Sequence, residues 1–332
     1  MKKLFSTVLI SQEQIIDLFQ NSEIAVEVAE KAFRLFNKGN VLLPDKISQI
    51  FDEETQKRIN CMTATLKDEN VCGVKWVSVF PENPKVGVRN VSGVIILSEL
   101  NYGFPIAIMD GTALTNIRTA AVSACAVKYL ARENAETIGF IGAGREARTH
   151  LDLICAVNPN LKKCYVSSRT EKSIESFIEE ERRKHPDIEF VACENDFEKA
   201  ITPADIIITA TSTQSDLLKA KWIKQGTTYI HIGGWEDEFA VPQLADKIVC
   251  DRWDSVKHRG QTICRMYKQG LLEDKDIYAD LVDIVSGAKP GRENDDEFIY
   301  FNIVGLAFVD VFFAKYIYEN LKDEKETERF CF

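Results

Sequence analysis

No stretch of this sequence approaches the roughly 20 consecutive apolar residues that cross a bilayer, which excludes a helical membrane protein. Nor is a secretory leader expected, since the apolar run after Met1-Lys-Lys is short and no small-residue cleavage site follows it. Positive charge is scarce: 41 Lys and Arg stand against 51 Asp and Glu, for a net charge of -10. That balance argues against a general binder of nucleic acid or of anionic membranes, whose surfaces need clustered Lys and Arg, so a small molecule is the expected partner. The nine cysteines contain no C-x-x-C pair, and His231 and His258 lack metal-ligand spacing, so no metal is assigned. These thiols read as reduced and mostly buried in a cytoplasmic protein. Repeats and low-complexity tracts are absent as well. What remains is ordinary globular composition, 45% hydrophobic and 28% charged over 332 residues, enough for two cores.

The chain is organised around Thr137-Ile-Gly-Phe-Ile-Gly142-Ala-Gly144-Arg-Glu-Ala147. An apolar run ends in Gly-x-Gly-x-x-Ala and helix formers follow, the pattern of a strand, a phosphate-binding turn and a helix. Gly142 permits the sharp turn, Gly144 lets a pyrophosphate approach the backbone, and Ala147 lets the helix pack on its strand. Arg145 and Glu146 open that helix, whose N-terminus offers N–H groups and a partial positive charge. Strands predicted over 163–168, 188–193, 205–211, 229–234 and 247–251 alternate with helices, as in a mostly parallel, doubly wound α/β sheet. Thr211, closing the third of these, is counted with the cofactor-binding residues.

The second strand of such a fold normally ends in an acid that holds the ribose 2'-hydroxyl of NAD. Here the strand end reads Ser167-Ser168-Arg169-Thr170. With no carboxylate to repel a 2'-phosphate, and hydroxyls and a guanidinium to hold one, NADP is favoured and NAD is the alternative. The competing reading is that Ser168 only caps a helix and Arg169 is solvated.

Before the glycine turn, residues 12–38 carry helical periodicity, and strands are predicted over 46–51, 58–65, 71–80, 91–97 and 105–109. This mixture describes a separate α+β domain. Thr112 to Arg132 reads as a long alanine-rich helix capped by Thr112 or Thr115. Arg118, near its start, works against the helix dipole unless an anion is bound there. A substrate carboxylate would supply that anion through two hydrogen bonds; an internal salt bridge, to Asp110, would do the same without function. Lys75 lies on a strand face with Gly73 and Val77, where it is either a proton-transfer group or a solvated lysine. Lys46 adds a further cation. The acids Glu236 and Asp237 follow a predicted strand end, where open α/β sheets bind ligands, so one of them is a candidate proton carrier and a solvated acidic loop is the alternative. Residues 305–321 form a helix too apolar to stand alone, in which Asp310 reads as a satisfied buried polar group, and 322–329 reads as a charged tail.

Gly73-Val-Lys75-Trp, Ser92-Gly-Val-Ile-Ile-Leu97, Thr115-Asn-Ile-Arg118-Thr-Ala-Ala121, the glycine turn and Gly305-Leu-Ala-Phe-Val-Asp310 together resemble the ornithine cyclodeaminase and mu-crystallin family over nearly the whole chain. Arg89 to Leu97 and Pro290 to Glu297 are most similar to its N-(2-amino-2-carboxyethyl)-glutamate dehydrogenase branch. The resemblance implies a homodimer of two-domain subunits. Residues 1–119, completed by 305–332, would bind substrate and dimerise, and 120–304 would be a Rossmann domain. It implies an NAD(P)-dependent oxidoreductase acting on the C–N bond of an amino acid or its imine, with Arg118 on the substrate carboxylate and Lys75 in the active site. Lys46 falls where an arginine is usual. The family's aspartate after the glycine-rich strand end has no match in Gly233-Gly-Trp-Glu-Asp237. The alternatives implied are ornithine cyclodeamination and mu-crystallin-type ligand binding.

Overall fold

The computed structural model describes residues 6–211 and 213–331. The chain forms two compact units, one running to Arg118 and resuming at Gly305, the other Thr119–Val304.

The first unit opens with β1 (Ser6–Ile10), α1 (Gln12–Leu18) and α2 (Ser22–Asn37). Then come β2 (Val41–Leu42), β3 (Ile47–Asp52), β4 (Lys57–Leu66), β5 (Val71–Val79), β6 (Val91–Glu99), β7 (Pro105–Asp110) and the start of α3 (Gly111–Leu130). After the second unit the chain returns as α11 (Ala307–Leu321) and β18 (Glu328–Cys331). The sheet order is β18-β1-β7-β6-β5-β4-β2, with β3 also on β4, and only β1 with β7 runs parallel. Strand alternation sends Met62, Lys75 and Ile95, which sit in one cross-strand row, to the covered face. α11 lies on that face against β4 and β5, with α2 packed on it in turn. Phe308 of α11 stacks on Phe36 at 4.5 Å and meets Phe33 edge-on at 5.5 Å. Covered from both sides, α11 is apolar around its circumference. Gly73 lets it approach, because a Cβ there would stand 2.9 Å from Val311 Cγ2.

The second unit is built on an eight-stranded sheet, order β10-β9-β8-β11-β13-β17-β15-β16, with every pairing parallel. Its strands are β8 (Thr137–Ile141), β9 (Lys163–Ser167), β10 (Glu189–Ala192), β11 (Ile206–Thr209), β13 (Thr228–His231), β15 (Lys247–Cys250), β16 (Ala279–Asp280) and β17 (Ile299–Asn302). The helices are α4 (Arg145–Val157), α5 (Glu171–Lys184), α6 (Phe197–Ile201), α7 (Ala240–Gln243), α8 (Trp253–Val256), α9 (Thr262–Lys268) and α10 (Leu281–Val285). A separate parallel pair joins β12 (Gln214–Leu218) to β14 (Trp235–Asp237). Outward from β8, the order β10-β9-β8-β11-β13 is that of a doubly wound nucleotide-binding sheet. β11, β13 and β17 are buried along their whole length and correspondingly apolar or satisfied.

Two sequence expectations change. The charged tail ends in β18, which pairs antiparallel with β1, because backbone pairing needs no particular side chain. The cysteines are free thiols and five of the nine are buried, in line with the expectation. The cap of α3 is Asp110, whose carboxylate accepts from Ala113 N at 2.7 Å, whereas Thr112 accepts from Gly93 N and Thr115 donates back to Gly111 O. Among the described residues no helix is long and apolar enough to cross a membrane.

Gly139 of β8 faces α6, where a Cβ would collide with the Ala200 carbonyl oxygen and stand 2.9 Å from Ala204 Cβ. Gly139→Ala is therefore expected to cost about 1–3 kcal/mol through overpacking. Urea unfolding checks this, and an unchanged midpoint would show that α6 moves aside freely.

Candidate functional site

The candidate functional side chains fall into two groups, one in each unit. In the first unit, Lys75 enters from β5, Arg118 from α3 and Asp310 from α11, and they are 1%, 5% and 1% exposed. One carboxylate oxygen of Asp310 accepts from both cations, from Lys75 Nζ at 2.6 Å and from Arg118 Nε at 2.8 Å. The salt bridge weighed for Arg118 is thus real, with Asp310 and not Asp110 as its partner. Gly305, at φ +85, makes room for the guanidinium, since a Cβ there would lie 2.7 Å from Arg118 Nη1. Within the hydrogen bonds of the described residues, Arg118 is held through Nε. That leaves the fork of Nη1 and Nη2, which is the edge that receives a carboxylate with two parallel bonds.

Together these three groups carry two positive charges and one negative. Buried charge is tolerated only when paired, so a cluster left at net +1 favours a monoanionic guest. Lys46 is half-buried and precedes Ile47, whose cross-strand neighbours run Cys61 then Trp76. It therefore enters the sheet two strands from Lys75, about 10 Å at the usual strand spacing.

In the second unit, the turn after β8 meets the geometry of a dinucleotide cradle. Gly142 has φ +111, and a Cβ there would lie 2.6 Å from Ala210 O, so only glycine fits. Gly144 is the N-cap of α4, and a Cβ there would meet no atom within 4 Å. Packing leaves that side of Gly144 open, which is the space a pyrophosphate on the helix N-terminus would need. Ala147 is fully buried; Arg145 is exposed and Glu146 half-buried. The parallel register of β8 with β9 sets Ser167 beside Ile141, and Gly142 N donates to Ser167 O at 2.8 Å. Ser168, Arg169 and Thr170 consequently emerge beside the glycine turn, Ser168 half-buried and the other two exposed. Ser168 N donates to Glu194 O, and the Thr170 and Ser173 hydroxyls share a 2.6 Å bond.

Glu236 and Asp237 do not form a solvated loop. Both lie in β14 and are fully buried. Glu236 takes four donors on its two oxygens: Thr209 Oγ1 at 2.9 Å, Gly233 N at 3.0 Å, Thr211 N at 2.7 Å and Thr211 Oγ1 at 2.5 Å. It clamps the end of β11 to the end of β13 and fixes Thr211. Asp237 accepts from Thr262 Oγ1 at 2.5 Å and lies 3.5 Å from His231 Nε2. Burial pushes its carboxyl up to about 6, against the opposing pull of His231 and Thr262. Side chains so enclosed take no proton from a substrate while β14 stays in place, and we assign them to holding the strand ends.

His231 and Asn302 (2.7 Å) and Gln261 extend the network, with Gln261 Nε2 donating to the carbonyls of Gly233 and Ile303. Sequence reasoning missed this group because nothing local marks it. The role of Asp310 left a signal, a lone carboxylate inside an otherwise apolar helical stretch.

A sequence model described as the ornithine cyclodeaminase/mu-crystallin family matches residues 6–325. The alanine dehydrogenase of Archaeoglobus fulgidus is 33% identical over 320 residues, covering 95% of this chain and 95% of its own. The N-((2S)-2-amino-2-carboxyethyl)-L-glutamate dehydrogenase of Staphylococcus aureus is 30% identical over 269 residues, 80% of each chain. Among solved structures, the Thermococcus litoralis Delta(1)-pyrroline-2-carboxylate reductase in complex with NADH and L-proline superposes with a TM-score of 0.91 at 32% identity, covering 97% of this chain and 99% of that one.

Glu236→Gln would turn an amide donor toward groups that are themselves donors. The loss of one buried acceptor is expected to cost about 1–3 kcal/mol and to weaken dinucleotide binding several-fold through Thr211. Fluorescence titration with NADH and NADPH, paired with urea unfolding, checks both; full affinity would free Thr211 of any part in the cradle.

Proposed function

The chain belongs to the ornithine cyclodeaminase/mu-crystallin family, and from that premise we propose that it is a nicotinamide-dinucleotide-dependent oxidoreductase acting on the C–N bond of an amino acid or its imine. The observation that carries this reading is the Arg118 fork held beside Lys75 by Asp310. The relatives support it, since alanine, proline and pyrroline-2-carboxylate each carry nitrogen on the carbon next to a carboxylate. Arg118 takes that carboxylate through Nη1 and Nη2, with Lys75 completing the charge balance and Lys46 as a further cation near the sheet edge.

The bound nicotinamide supplies hydride in reduction and accepts it in oxidation. Gly142, Gly144 and Ala147 shape the cradle for its pyrophosphate, with Arg145, Glu146 and Thr211 around it. In the reductive direction the imine nitrogen needs one proton as the alpha carbon gains hydride, and Lys75 is the group we assign to hold it. Low exposure of Lys75 and Arg118 keeps bulk water from competing for the carboxylate. A second copy of the chain is the proposed partner: Ile47, Phe51 and Trp76, on β3 and β5 of the first unit, are 63%, 56% and 42% exposed, an apolar face that dimerisation would cover. The free thiols fit a reducing, cytoplasmic setting.

Turnover of NADPH or NADH is tested against pyruvate with ammonia, Delta(1)-pyrroline-2-carboxylate and other cyclic imines, keto acids with amines, and amino acids in reverse. Arg118→Ala is expected to lower kcat/KM by about 10²–10⁴, the loss of a desolvated, bidentate charge pair. A variant with wild-type turnover would sink the assignment, and proline formed from ornithine without net cofactor consumption would point to cyclodeamination instead.

For the cofactor, Ser168 and Arg169 favour a 2'-phosphate, since no carboxylate stands in 168–170. Arg169→Ala is expected to raise the KM for NADPH about tenfold and leave that for NADH within about twofold, the mark of a lost phosphate contact. Equal effects on both cofactors, or a native preference for NADH, would overturn the choice of NADP.

A further inference from the structure

We infer that Asp310 is a positioning residue of the reaction, holding Lys75 as an ammonium and aiming the Arg118 fork at the substrate carboxylate. This deepens the reading above and rests on it. Three charged groups are buried together, and apolar side chains of similar size would hold α11 on the sheet at no desolvation cost. The neighbours of Lys75 in its cross-strand row, Met62 on β4 and Ile95 on β6, are neutral. Two charges are set against it from the helices: Asp310 of α11 at 2.6 Å and, on the same oxygen, Arg118 of α3.

Two like charges converging on one point repel, and the shared carboxylate is what allows both to stay ionised. It also fixes two directions. Bonding at Nε fixes the rotation of the guanidinium, with Nη1 and Nη2 over Gly305, and bonding at Nζ stops the lysine from swinging along its four-carbon stem. The second carboxylate oxygen, Oδ2, is buried and has no hydrogen-bond partner. A carboxylate held by one oxygen in a buried site is not there to saturate its own hydrogen bonds. Packing prepares the arrangement: Gly73 admits α11 to the sheet and Gly305 clears the path of the guanidinium. Asp310 itself touches neither substrate nor cofactor in this scheme, and it acts through the two cations.

The test compares Asp310→Asn and Asp310→Glu with Arg118→Ala in the full-length protein, using whichever substrate of the panel turns over. Kinetics are followed from acid to alkaline pH, with NADPH binding by fluorescence and urea unfolding as controls. In Asp310→Asn, Lys75 keeps the neighbouring charge of Arg118 but loses the carboxylate bonded at 2.6 Å, so the ammonium loses its proton sooner. The alkaline limb of kcat/KM is expected to move at least one unit toward lower pH, with KM raised tenfold or more and NADPH affinity unchanged. Asp310→Glu restores the charge but displaces the oxygen: the alkaline limb should return to its wild-type place while kcat stays several-fold low.

An Asp310→Asn profile that superimposes on wild type would overturn the inference. Should that variant fail to fold, an Asp310→Glu enzyme with wild-type kcat and KM would overturn it equally. If Arg118→Ala keeps full turnover, the functional reading falls first. If Arg118→Ala is inactive and the Asp310 variants behave as wild type, this inference falls alone.

Discussion

A single carboxylate oxygen shared by an ammonium and a guanidinium is the constraint on which the first unit depends. Around it, secondary structure that would otherwise be routine acquires a fixed geometry. The sheet presents Lys75 on its covered face because alternation along β5 allows nothing else. α11 must lie close enough for Asp310 to reach it, so Gly73 stands where a Cβ would push the helix away. Arg118 must pass the start of α11, so Gly305 takes a positive φ where a side chain would strike the guanidinium. Buried ion pairs are weak evidence of stability, since desolvation consumes most of their attraction. Here the pairs join three separate elements, β5, α3 and α11, at one point.

The second unit solves a different problem by different means. A dinucleotide carries its charge on phosphates, which backbone N–H groups at a helix N-terminus bind without any buried cation. The turn after β8 therefore needs shape more than charge, and Gly142 and Gly144 provide it in two ways. The first is enforced by a neighbouring carbonyl, and the second is left open by the protein. Glu236 does for the strand ends of this unit what Asp310 does for the helices of the other. It is a buried acid whose oxygens gather donors from separated segments, and it keeps Thr211 in place. Both oxygens of Glu236 are committed to donors, which its spacing in the sequence does not reveal.

Much of this was legible beforehand. The glycine turn and the strands around it announced a doubly wound sheet, because period and turn chemistry are local properties that a few adjacent residues express. The resemblance carried by the Lys75, Arg118 and glycine motifs named the family. The helix cap at Asp110, the strand at 328–331 and the short helices between 240 and 285 were not legible. Each depends on partners brought from elsewhere: an edge for β18 to pair with, a core for apolar segments too short to show a period, a backbone N–H that chooses one of several possible acceptors.

Spacing and composition by themselves determined the class of fold and the acidic balance of the chain, and singled out the glycine turn at 142–147 as the candidate seat of the dinucleotide. They also marked Lys75 and Arg118 as worth attention, because a cation on a covered strand face or near a helix start is locally anomalous. Only the tertiary structure decided what those cations meet. Asp310 lies 235 positions from Lys75 and 192 from Arg118, beyond any periodicity, and was brought to them by the return of α11 onto the sheet. The same is true in reverse of Glu236 and Asp237: an acidic run looks solvated until folding buries it. Charge is written in the sequence, but its burial and its partner are properties of packing, and those two quantities set what a charged group can do.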